Sequence, residues 1–166
     1  VALAGKEILQ LANHLNCPVE INIFYRTPER MEALLNHLNG IKQQEGFEVE
    51  ILGAEPDARI PGLEGPRAKC CTRGIFESDV ILVPLEDGDR CEALVAMGKT
   101  VLVIDLNPLS RTARMASITI VDELTRVLIN MNEILDSEEP LQTTMNYSNE
   151  QIIQAALDHI GTFLVS

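Results

Sequence analysis

Apolar and polar positions along the chain repeat with two periods, one helical and one strand-like, and the switches between them outline most of the elements. From Gly5 to Leu15 the apolar residues Ile8, Leu9, Leu11, Ala12 and Leu15 recur at helical spacing, with Lys6 and Glu7 on the opposite side. Pro18 breaks that pattern, and Val19 to Phe24 sets Val19, Ile21 and Ile23 against Glu20 and Asn22, which predicts a strand. Thr27 and Pro28 supply an N-cap and a first-turn proline for a helix whose stripe is Met31, Leu34, Leu35 and Leu38, and Asn39-Gly40 predicts its end. Phe47 to Leu52 alternates again and predicts a second strand. Between Gly53 and Gly65 the residues Pro56, Pro61 and Gly62 predict an irregular loop too long to be a mere connector.

Val80 to Pro84 and Val101 to Ile104 are continuous apolar runs, the pattern of strands buried on both faces. Arg90 to Met97 between them reads as a helix closed by Gly98, followed by a strand at Ile118 to Val121 and a helix at Glu123 to Leu135. Strands alternating with helices predict an α/β fold with a doubly wound, mainly parallel sheet over residues 1–135. Residues 136–147 lose periodicity and read as a linker or mobile loop. Ser148 to Gln151 resembles a capping box and opens an amphipathic helix over residues 148–166, through Ile152, Ile153, Ala156, Leu157 and Ile160. That helix docks either on its own domain or on a second subunit.

Composition narrows the function classes. A hydrophobic fraction of 46% in 166 residues suits one folded domain, and no apolar run is long enough to cross a bilayer, so a cytoplasmic protein without a membrane partner is expected. The formal net charge of −12 argues against a nucleic-acid partner, whose phosphates need a basic face. The cations are concentrated, however: of 13 Lys and Arg, eight lie between Arg59 and Arg114, where a small polyanion could be held. Cys17, Cys70, Cys71 and Cys91 show no C-x-x-C spacing and read as reduced thiols, with neither zinc nor disulfides implied. His14, His37 and His159 read as surface or packing residues.

Ligands of open α/β sheets bind beyond the carboxyl ends of the strands, and two strands here end in polar loops. The first carries Glu86, Asp87 and Asp89 around Gly88, which can hold a divalent cation or sugar hydroxyls, or simply start a helix with Asp89 ahead of Arg90. In the second, Asp105 ends a buried strand where a carboxylate can accept from ribose hydroxyls. Asn107, Ser110 and Thr112 add donors and acceptors there, and Arg111 and Arg114 supply charge for phosphates. The same loop could also be a helix cap with solvated arginines. No G-x-G-x-x-G and no G-x-x-x-x-G-K-S/T is present, so nucleotide binding would use another device. Arg59, Arg67 and Lys69 in the Asp57 to Lys69 loop could dock a phosphorylated acid or be scattered surface charge. Neither a catalytic residue nor a set of metal ligands can be assigned, and the residues alone end at a phosphate-containing ligand on an α/β domain.

Taken together, the run Asn22 to Thr27 (NIFYRT), DARIPGLEGPRAK, VPLEDGDR and IDLNPLSRTAR followed by ITIVD resemble the archaeal 4-phosphopantoate–β-alanine ligase family, also called phosphopantothenate synthetases. The resemblance runs to about Leu135. It implies a three-layer Rossmann-like fold, a homodimer, and a ligase of coenzyme A biosynthesis that uses ATP with magnesium to join 4-phosphopantoate and β-alanine through an acyl-adenylate. Carried over, the nucleotide contacts fall on Asp105, Leu106, Asn107, Arg111, Thr112, Glu123 and Leu124. Asn usually stands in the family where this chain has Glu123. Arg59, Arg67, Lys69, Asp87, Asp89 and Arg90 are the substrate candidates, with magnesium near Asp87 or Asp89. The family also has a segment before the first helix that contributes arginines to ATP binding, and nothing in this chain matches it. The 166 residues are therefore expected to be a truncated form, poorly active alone. The competing expectation is a non-catalytic nucleotide-binding or dimerisation module.

Overall fold

The computed structural model describes residues 2–84, 87–137, 139–141 and 146–164. The chain divides into two compact units, Val1–Ser78 with Leu128–Glu139 and Asp79–Val127 with Pro140–Ser166.

In the first unit, helix α1 (Gly5–Leu15) and helix α2 (Pro28–Glu45) bury most of the stripes read from their sequences, the exception being Leu15, which ends α1 exposed. Leu9, Ala12, Ile21, Met31, Leu38 and Val49 make the core, flanked by Val19, Ile23, Leu34, Leu35, Ile41, Phe47 and Ile51. Thr27 caps α2, its hydroxyl accepting from the Arg30 N–H at 3.3 Å. The expected stop at Asn39-Gly40 is wrong. The helix runs through Gly40 and ends at Gly46, whose φ of 73° lets its N–H return to the Lys42 carbonyl. Burial of Ile41 against the core outweighs the roughly 1 kcal/mol that a mid-helix glycine costs.

Strands β1 (Val19–Glu20) and β2 (Ile51–Leu52) pair in parallel and are shorter than the alternation predicts. Past Ile21, whose N–H still reaches the Leu52 carbonyl at 2.9 Å, the chain leaves the sheet. Arg26 then holds that exit, its guanidinium donating to the carbonyls of Ile21, Gly53 and Ala54. The region expected to be irregular, Gly53 to Gly65, contains strand β3 (Ala58–Arg59), which pairs antiparallel with β4 (Lys69–Cys70) beyond it, and a π-helical turn follows at Thr72–Phe76.

In the second unit, β5 (Val80–Val83), β6 (Thr100–Ile104) and β7 (Ile118–Ile120) form a parallel sheet in that order, with Val83 opposite Val103 and Ile104 opposite Ile120. Helices α3 (Gly88–Ala96) and α4 (Arg111–Met115) make the successive crossovers, and α5 (Leu124–Asp136) follows β7, its residues from Leu128 on belonging to the first unit. Val101, Val103, Leu94 and Ala113 are fully buried. The expected α/β fold with parallel strands is what the chain adopts. Helix α6 (Asn149–Leu164) packs against α4 and β7 of its own unit. Tyr147 fixes its start: the hydroxyl accepts from the Thr119 N–H at 2.9 Å and donates to Asn149 Oδ1 at 2.8 Å, while Asn149 Nδ2 donates to the Ala113 carbonyl at 2.8 Å. Residues 138 and 142–145 of the expected linker lie outside the described residues. Among the described residues no helix is long and apolar enough to cross a membrane.

Candidate functional site

The loop that leaves β6 is built around one carboxylate. Asp105 continues the sheet through its N–H to the Ile120 carbonyl at 3.0 Å, then turns a nearly buried side chain, 8% exposed, into the loop ahead of it. One oxygen accepts from the Asn107 N–H at 2.9 Å, and the other from the Ser110 hydroxyl at 2.5 Å. Ser110 Oγ in turn accepts from the Ala113 N–H at 2.9 Å and caps α4, and Asn107 Oδ1 accepts from the Leu109 N–H at 3.0 Å. Each bond spans no more than five residues, so the loop holds its own shape. Leu106, 69% exposed, and Asn107 stand on the solvent side. Thr112 is fully buried, and its hydroxyl has no hydrogen-bond partner among the described residues. Its side chain packs inside the unit, and its carbonyl accepts from the Ala116 N–H at 3.0 Å and the Cys91 thiol at 3.7 Å.

Arg111 leaves the first turn of α4 and meets α3, where its guanidinium pairs with Asp89 at 2.5 Å and with Glu92. Gly88 makes this possible. A Cβ at that position would lie 2.9 to 3.0 Å from Cβ, Cγ and Cδ of Arg111, closer than real Cβ contacts come. The structure thus brings Arg111 and Asp89 together and adds Glu92, which sequence reading missed although its i,i+3 spacing from Asp89 puts both carboxylates on one helix face. Asp87 and Arg90 are joined instead to each other. Asp87 caps α3 by accepting from the Arg90 N–H at 3.1 Å, and its other oxygen pairs with the Arg90 guanidinium at 2.9 Å. Leu85 and Glu86 of the acidic turn lie outside the described residues.

After β7 the turn at Asp122 is also self-contained. Glu123 caps α5, one carboxylate oxygen accepting from the Thr125 N–H and the other from the Arg126 N–H, both at 2.9 Å. Those two N–H groups hold its carboxyl below the usual range, and Arg126 does the same for Asp122. Leu124 is the first residue of the helix.

In the first unit Arg59 and Lys69 face each other across the β3–β4 pair, two exposed like charges in direct register. Arg67 lies over the Phe24 ring, 5.1 Å from its centroid, and Arg30 over Tyr25 at 5.9 Å. Asn22 Nδ2 donates to the Lys69 carbonyl at 3.1 Å and ties the loop after β1 to this hairpin. Glu20 secures the turn beyond it by accepting from the N–H groups of Cys71 at 3.0 Å and Ile75 at 2.8 Å. Burial pushes the Glu20 carboxyl up, against those two bonds. Cys70 and Cys71 are buried, and burial raises the Cys71 thiol above its ordinary value and that of Cys91 to about 11, so neither is an activated nucleophile. Among the described residues no three His, Cys, Asp or Glu side chains group to hold a metal ion.

Comparison with known proteins bears on this geometry. A family model described as phosphopantothenate/pantothenate synthetase matches residues 1–163. Proteins named 4-phosphopantoate–β-alanine ligase in Thermococcus kodakarensis and Thermococcus onnurineus are 48% and 47% identical over 165 residues, which is 96% of this chain and 62% of each relative. The protein of that name in Methanosarcina mazei is 41% identical over 169 residues, covering 98% of this chain and 64% of its own length. The chain therefore spans a little under two thirds of the curated relatives it matches.

Proposed function

The chain belongs to the phosphopantothenate/pantothenate synthetase family, and from that premise we propose that the protein is an ATP-dependent ligase joining 4-phosphopantoate to β-alanine in coenzyme A biosynthesis. A carboxylate oxygen of 4-phosphopantoate attacks the α-phosphorus of ATP, the bond to the bridging oxygen breaks and diphosphate leaves. The β-alanine amine then attacks the acyl carbon, the bond to AMP breaks, and the nitrogen gives up a proton to solvent. Such chemistry rests on positioning and on stabilising charge at phosphorus and at the tetrahedral carbon.

The reading is carried by the loop after β6, which is preorganised at the carboxyl end of a parallel strand by the buried Asp105 carboxylate. Leu106 and Asn107 meet adenosine from the solvent face, the Glu123–Leu124 turn completes the nucleotide contacts, and Arg111 exchanges its carboxylate partners for the polyphosphate. Asp89 holds Arg111 until then, and the Asp87–Arg90 pair supports the start of α3. Arg59, Arg67 and Lys69 receive the phosphate of 4-phosphopantoate. Asp87 is engaged by Arg90 and Asp89 by Arg111, and among the described residues no three metal-ligating side chains gather to hold magnesium. No step is routed through it. The same reading makes the protein a cytoplasmic homodimer, which sedimentation of the full-length protein checks.

The test is product analysis with the full-length protein. AMP and 4-phosphopantothenate should appear in equal amounts only when ATP, 4-phosphopantoate and β-alanine are all present. AMP release that ignores β-alanine, or ADP in its place, would overturn the ligase. ATP bound but never consumed would favour a nucleotide-binding module.

A further inference from the structure

The loop between β1 and α2 exposes two large aromatic side chains side by side. Phe24 and Tyr25 are 53% and 66% accessible, their ring centroids are 4.9 Å apart, and the rings meet edge to face. Water-exposed aromatic pairs are unfavourable unless something covers them. This pair is rigidly mounted: Arg26 binds three carbonyls at the strand ends, Thr27 caps α2, and Asn22 reaches the Lys69 carbonyl. A side chain set on such a frame loses little freedom when a ligand packs against it.

The surroundings of the rings are cationic. Guanidinium groups of Arg30 and Arg67 lie over them, and Arg67 comes from the same segment that places Arg59 opposite Lys69. Like charges directly opposite in a strand pair repel, and an anion between them turns that repulsion into binding. The surface thus pairs an apolar wall with a cluster of cations, at the carboxyl end of a parallel strand. 4-Phosphopantoate has the matching parts, a phosphate and a carboxylate separated by a quaternary carbon that carries two methyl groups.

We infer that Phe24 and Tyr25 are specificity residues for the acid substrate, packing against its two methyl groups while Arg59, Arg67 and Lys69 meet its phosphate. The inference rests on the ligase reading above and adds to it what selects the branched acid. Discrimination by one or two methyl groups in an apolar contact is worth about 10- to 200-fold.

The experiment compares 4-phosphopantoate with 2-hydroxy-4-phosphobutanoate, which lacks both methyl groups, as substrates of the full-length protein. The unaltered enzyme should prefer the branched acid by about tenfold or more in kcat/KM. Phe24→Ala and Tyr25→Ala should raise KM for 4-phosphopantoate and shrink that preference toward unity, with KM for ATP unchanged, and Phe24→Leu should restore most of the preference. Product formation with undiminished preference in the alanine variants would overturn this inference alone. Alanine variants that fall apart into smaller species, with both KM values raised together, would overturn it in favour of an interface between copies. Absence of product from the unaltered protein would overturn the ligase reading and this inference with it.

Discussion

The loop after β6 and the β3–β4 hairpin both present arginines, but they are held by opposite means. In the first, a buried carboxylate binds its own loop and two arginines have anionic partners: Arg111 has Asp89 and Glu92, and Arg90 has Asp87. In the second, Arg59 and Lys69 are set against each other, and the segment is fixed by residues about fifty positions away, Asn22 and Glu20. One loop is stabilised by its polar groups. The other keeps its charge in spite of the cost. The difference suggests two kinds of ligand: one that exchanges places with carboxylates already present, and one whose negative charge answers the Arg59–Lys69 pair.

The largest effect that can break this contrast comes from Asp105→Ala, which strands the Asn107 N–H and the Ser110 hydroxyl. Urea unfolding should show a loss of about 3 kcal/mol, together with loss of ATP binding, and a loss well under 1 kcal/mol would mean that the carboxylate does not hold the loop. Next comes Gly88→Ala, whose methyl group collides with the Arg111 stem. A destabilisation of about 2 kcal/mol is expected, with weaker ATP binding by calorimetry, while unchanged affinity would separate Arg111 from the nucleotide.

Lys69→Ala should act in the reverse direction on stability. Relieving the repulsion with Arg59 should stabilise the free protein by about 0.5 kcal/mol at low salt while weakening 4-phosphopantoate binding. A destabilised variant would show that Lys69 is a structural residue like those of the other loop.

The smallest effect concerns Glu20. Burial raises its carboxyl above the ordinary 4.5, so the folded chain holds that proton more tightly than the unfolded one. Its contribution to stability is present below 4.5 and is lost as pH rises through the folded-state value. The stability of Glu20→Gln relative to the unaltered protein should therefore improve as pH rises from about 4.5, followed by urea unfolding at several pH values. A difference that is flat with pH would show that the carboxyl is not perturbed.

The same contrast explains what was legible in the sequence. Asp105, Asn107 and Ser110 interact within five residues, so their residue types and spacing marked the loop before any fold was known. The helices were equally readable where an apolar stripe coincided with a cap, as at Thr27. The end of α2 was not, because the contact that carries it past Gly40 is tertiary, through Ile41. The β3–β4 pair and the Phe24–Arg67 contact were likewise hidden, since they join segments that only the folded chain brings together. Thr112 shows the opposite limit: its residue type suggested a ligand contact, and only burial reveals that its hydroxyl faces inward. Glu123 stands where relatives were expected to carry Asn, and its carboxylate is spent on capping α5.

The most direct measurement titrates ATP and 4-phosphopantoate separately into the full-length protein carrying either Arg111→Ala or Lys69→Ala. Weakened ATP binding with Arg111→Ala alone, and weakened 4-phosphopantoate binding with Lys69→Ala alone, is the predicted result. Crossed effects, or both ligands weakened equally by either substitution, would contradict the assignment of the two loops to two ligands.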